Sequence, residues 1–131
     1  MSSALADRDV FASLAAPPAA VIEVKDERHE AACRELEQTV LTYLRQKGRI
    51  ERRRCFLLQP GTPWNSMEKF VDSQLARHGG KRVSFDWHDP GIDLVAVWKL
   101  GRFGAGHVAV AMSSQTIEGQ PLVGYFDVQR P

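Results

Sequence analysis

Arg45, Lys47, Arg49, Arg52, Arg53 and Arg54 fall within ten consecutive residues, with Glu51 the single acid among them. Guanidinium groups at this density grip carboxylates or phosphates through paired N–H donors. The segment carries +5 and the other 121 residues −4, against +1 for the whole chain. A cationic site on a slightly acidic body implies a specific anionic partner rather than general affinity for polyanions. Arg45 and Lys47 close a helical pattern whose first turns are acidic, a placement that the helix macrodipole favours without any partner. Alternation along a strand turns Arg53 away from Arg52 and Arg54. That leaves Arg49, Arg52 and Arg54, enough to dock an acidic protein surface. A nucleic-acid track is the weaker reading, because single-strand binding pairs basic groups with stacking aromatics and only Phe56 is near. Arginines along a strand would also guard a sheet edge against unwanted pairing.

A second cationic point is the glycine-rich stretch Gly101-Arg102-Phe103-Gly104-Ala105-Gly106. Phosphate cradles need a helix directly after the loop, so that its first amides face the anion. A strand pattern follows here, and the stretch reads as a hairpin loop with Arg102 and Phe103 available to a partner.

Among the carboxylates, Asp93 interrupts an apolar segment and Asp127 lies on the last strand pattern. A strand carboxylate facing a pocket would suit a general base. The histidines do not fall at metal-ligand spacing, and no metal or cofactor is expected. Cys33 and Cys55 have no CxxC companion. They read as reduced, buried thiols that behave as small hydrophobes.

The elements that must position these groups follow from hydrophobic period. Residues 1–20 are Ala-rich and end on Pro17-Pro18. They read as a loosely held arm, with Val10, Phe11 and Leu14 on one face, preceding a single domain over 21–131. Ala32, Leu36, Val40, Tyr43 and Leu44 mark a helix from about Asp26 to Lys47, with Asp26 as N-cap and Gly48 just past its end. Cys55 to Leu58 is a short buried strand. A second helix runs from about Pro63 to His78, capped by Thr62 or by an Asn65–Glu68 box, and Gly79-Gly80 ends it. From Lys81 the period changes to two. Strands are expected where Val83, Phe85 and Trp87 alternate with Arg82, Ser84 and Asp86, and at Ile92–Leu100, His107–Thr116 and Leu122–Val128; Val21–Val24 is a further short strand signal.

This order, α-β-α-β-β-β-β, predicts an α+β fold: an antiparallel meander of four to five strands packed against two helices on one face. The strand at 92–100 is apolar on both sides, so its second face needs cover from the arm, a partner, or closure into a half-barrel. Gly106-His107-Val108-Ala109-Val110 resembles the histidine strand of NlpC/P60 and CHAP-type cysteine amidases. Those families place the nucleophile at a helix start, however, whereas Cys33 lies within a helix and Cys55 within a strand. The element order resembles the NTF2-like and cystatin-like cone folds, which implies a small-ligand or enzymatic pocket served by Asp93 or Asp127.

At 131 residues with 44% hydrophobic content, the chain can bury a core of its own. No apolar run approaches a membrane span, and Asp7, Arg8 and Asp9 interrupt any signal-peptide core, so no membrane partner and a cytoplasmic location are expected. The leading expectation is a non-catalytic protein-binding module: an adaptor, an immunity-type inhibitor or a small subunit of a bacterial assembly, able to self-associate. Its contacts would be Arg49, Arg52, Arg54, Arg102 and Phe103.

Overall fold

Six antiparallel strands form one open sheet in the computed structural model, which describes residues 9–44, 48–83, 93–100 and 106–129. The elements in chain order are α1 (Val10–Ser13), β1 (Ala20–Glu23), α2 (Glu27–Tyr43), β2 (Arg49–Leu58), α3 (Trp64–Ala76), β3 (Lys81–Val83), β4 (Asp93–Lys99), β5 (Gly106–Ile117) and β6 (Gln120–Gln129). Strand order across the sheet is β1-β2-β6-β5-β4-β3. β3 to β6 form the expected meander. β2 and β1 extend it beyond β6, which raises the strand count to six.

Pleat alternation divides the core between two faces. On one, Phe56, Leu58, Trp98, Val110 and Tyr125 meet Met67, Val71 and Leu75 of α3 together with Val10, Phe11 and Leu14. On the other, Leu57, Val97, Ala109 and Phe126 meet Leu36, Val40 and Tyr43 of α2. The expectation of helices on one face is therefore corrected. α2 joins neighbouring strands over one face, while α3 carries the chain from β2 to the far edge over the other. Residues 9–20, which the sequence suggested as a loose arm, supply the remaining cover: Phe11 and Leu14 are each 4% exposed. The sheet does not close, and the interior that a cone fold would offer is filled by these side chains.

Local signals explain the element ends, with some changes. Asp26 caps α2 by accepting from the His29 amide at 2.8 Å. This hydrogen bond, with a second from the His29 ring, lowers the Asp26 pKa. The helix reaches its C-cap at Leu44, so Gly48 is not its terminator. Gly48 instead permits a close approach, since a Cβ there would lie 2.6 Å from Val128 Cγ1. α3 starts at Trp64 with Pro63 as N-cap and no side-chain cap; the Thr62 hydroxyl donates to the Gln59 carbonyl instead. Gly79, at φ 73°, ends the turn, and the Gly80 amide returns to the Leu75 carbonyl. Positive φ at both Glu118 and Gly119 makes the two-residue β5–β6 hairpin turn.

Cys33 and Cys55 form a disulfide, contrary to the reduced thiols expected from sequence. The reading failed because 21 intervening residues gave no framework pattern, whereas the fold brings the two Cα atoms to 6.1 Å. The bond ties α2 directly to the arginine-bearing strand.

Candidate functional site: the arginine strand β2

β2 is the element that carries the cations, and its alternation distributes them between the faces. A bulge at Glu51 shifts the register so that Arg52 lies directly opposite Asp127 on β6. The Arg52 Nε donates to Asp127 Oδ2 at 2.9 Å. Its two Nη groups fork onto Asp9, Nη2 to Oδ1 at 2.7 Å and Nη1 to Oδ2 at 3.2 Å. The guanidinium also lies 5.0 Å from the centroid of Phe11, a cation–π contact. Two carboxylates around one guanidinium push the Arg52 pKa up, and the hydrogen bond from Arg52 holds Asp9 below its ordinary value.

Arg54 continues this face. Its Nε donates to Glu23 Oε1 at 3.0 Å, and its Nη1 to the Leu14 carbonyl at 2.7 Å. The guanidinium lies 5.2 Å from the Phe56 ring centroid. Beneath it, Phe56 and Tyr125 make an edge-on pair at 5.2 Å. The Tyr125 hydroxyl donates to the Ala15 carbonyl at 3.2 Å, and burial pushes its pKa well up. The Ala15 amide in turn donates to Gln74 Oε1 at 2.7 Å. A run of seven residues, Asp9 to Ala15, is thus held by groups from β2, β6 and α3.

Arg53 turns to the opposite face, as the alternation required. It pairs with Glu30 and, at 3.2 Å, with Glu37 on α2. Burial opposes its charge, but these two carboxylates outweigh that and raise its pKa. Arg49 pairs with Glu51 at 2.6 Å in an open setting, the two side chains 64% and 41% exposed. Of the three arginines that the sequence left unexplained, Arg52 and Arg54 therefore share one face and hold acidic groups of this chain, while Arg49 lies in the open. Arg102 and Phe103 lie outside the described residues, as do Arg45 and Lys47. Asp93 opens β4, and its side chain is outside them too.

Asp127 is the one charged residue buried among those described, at 5%. Besides Arg52 it accepts from Gln129 Nε2 at 2.8 Å, so its oxygens serve an ion pair inside the sheet. A cavity of about 100 Å³ lies where the arm meets α3, lined by Ser13, Leu14, Gln74, Arg77 and His78. That is below the roughly 300 Å³ at which small-molecule pockets begin. No group of metal-ligating side chains occurs among the described residues. Lys81 and Lys99 are directly opposite on β3 and β4 at the far end of the sheet. Like charges there are unfavourable as a pair but suit an edge strand that must resist pairing.

Sequence reasoning missed Asp9, Glu23, Glu30 and Glu37 as partners of the arginines. A signal existed for two of them, since Glu30 and Glu37 are seven apart on one helical face. Asp9 and Glu23 gave none, because only the folding of the arm over β2 places them there. In comparisons with known proteins, no family model, curated protein or solved structure matches this chain.

Proposed function

We propose that this protein is a non-catalytic protein-binding module that docks an acidic partner on the arm-bearing face of β2, through Arg52 and Arg54. One observation carries the reading. The Arg52 guanidinium grips a carboxylate through two nitrogens while lying against an aromatic ring, and both groups come from a short segment laid across the strand. Charge-assisted, forked contacts of this kind are the usual means of recognising acidic peptides. A side chain half exposed to solvent, as Arg52 is at 47%, can exchange one carboxylate for another without unfolding the sheet. The competing catalytic reading uses Asp93 or Asp127 as a base; Asp127 is engaged by Arg52 and Gln129, and the Asp93 side chain lies outside the described residues. A nucleic-acid role would also call for stacking aromatics open to bases, whereas Phe11 and Phe56 beside these arginines are buried in the core.

The test compares partner capture by the wild-type chain, Arg52→Gln, Arg54→Gln, and Arg28→Gln as a control. Arg28 pairs with Glu118 in an exposed contact remote from β2 along the chain. Capture should fall at least tenfold for the first two variants and stay unchanged for the control. Equal capture by all four chains would remove β2 from the account.

A further inference from the structure

The segment Asp9 to Ala15 does more than cover the sheet, because it touches β2 as a bound peptide would. Asp9 supplies a carboxylate to Arg52, and Phe11 supplies the ring beneath the same guanidinium. Leu14 fills the apolar floor, and its carbonyl accepts from Arg54. Ala15 uses both backbone groups, donating to Gln74 and accepting from Tyr125. Arg52, Arg54, Gln74 Oε1 and the Tyr125 hydroxyl on the body therefore each meet a matching group on the arm.

We infer that the arm is a built-in stand-in for the partner. The groove takes a short one-turn helical segment of another protein with the spacing carboxylate-apolar-aromatic-x-x-leucine, the spacing of Asp9, Val10, Phe11 and Leu14. This rests on the reading of β2 as a docking strand and adds what the partner must contain. Charge complementarity selects the acid, since the sheet presents Arg52 and Arg54 at this face. The flanking aromatic is selected by the guanidinium surface, and the leucine by the apolar cluster that includes Phe56, Leu75 and Tyr125.

Three features make the arm displaceable. Its helix has four residues, too few to persist without the groove. The Asp9–Arg52 pair is about half exposed, so a competing carboxylate can reach the guanidinium from solvent. Gln74 turns its oxygen to the Ala15 amide, which fixes the orientation of the amide group and leaves Nε2 buried without a hydrogen-bond partner. The arm thus satisfies the groove incompletely. Its advantage is the tether through Ala16-Pro17-Pro18-Ala19, which keeps the arm beside the groove and makes its binding intramolecular. A free segment competes poorly against the intact arm and well against a weakened one.

The test uses the full chain and a fluorescent peptide of residues 9–16, with binding read by anisotropy. Two arm-weakened chains, Asp9→Ala and Phe11→Ala, keep the experiment readable if one of them folds badly, which near-ultraviolet circular dichroism reports. Each folded variant should bind the peptide at least tenfold more tightly than the wild-type chain. Adding Arg52→Gln to the variant, or replacing the peptide's phenylalanine by alanine, should remove that gain. If folded variants bind no more tightly than wild type, the inference is overturned. Equal, salt-sensitive binding of a scrambled peptide would overturn the spacing and leave the acidic-docking reading standing. A wild-type dimer that Asp9→Ala dissolves would assign the groove to a second copy's arm and overturn a foreign partner.

Discussion

Asp9 serves two purposes with one carboxylate. It caps α1 by accepting from the Ala12 amide at 3.2 Å, and it fastens that helix to Arg52. The hydrogen bond from Arg52 depresses the Asp9 pKa in the attached arm, so a detached arm takes up its proton first as pH falls. Attachment is therefore at full strength above about pH 5, where the Asp9 carboxylate is ionised in both the attached and the detached arm. It weakens as pH falls below that value and through the depressed one. Arg52 keeps its charge throughout, and Asp127 is the other carboxylate facing it. The Ala15 amide resonance should report this, moving toward a detached position with acid in the wild-type chain. In Asp9→Asn the carboxylate step should vanish from that titration. An unchanged acid response in the variant would show that Asp9 does not hold the arm.

At the scale of elements, β2 is fixed from both sides. Arg53 and Cys55 face α2, one through ion pairs and the other through the disulfide, while Arg52 and Arg54 face the arm. In the chain-entropy account, closing a loop of this length stabilises by about 3 kcal/mol. Cys33→Ala/Cys55→Ala should lower the unfolding free energy by about that amount in denaturant melts, with arm contacts intact by NMR. A loss under about 1 kcal/mol would mean that α2 is held by packing alone. The alternation that splits the arginines was legible in the sequence, because a strand's period is geometric and needs no tertiary knowledge. The disulfide was not, since two cysteines on different element types pair only once the helix has settled on the sheet. Gly48 taught a related lesson: a glycine after a helical pattern resembles a terminator, yet here it makes room for Val128 and Gln129.

For the whole molecule, the meander from β3 to β6 and the two long helices could be read from the sequence, because each rests on hydrophobic period over many residues. The sixth strand and the two-faced cover were harder. β1 has four residues and little period, and Val21 and Ile22 on it are exposed, at 51% and 44%. The cover depends on which way each connection crosses the sheet. The charge pattern misled in an instructive way. A +5 run looked like an open cationic surface, whereas folding brings acids from the arm, β1, α2 and β6 onto it. What results is a strand whose arginines are met by acids of this chain rather than a bare patch, the arm among them being, on our proposal, a displaceable occupant. That claim is open to one direct measurement, native-state amide exchange of the full chain. The Ala15 amide should exchange through local opening, at least about 100-fold faster than Val110 at the sheet centre, and independently of low denaturant. If Ala15 exchanged as slowly as Val110, only by global unfolding, the arm would be an integral part of the core and the displaceable occupant would not exist.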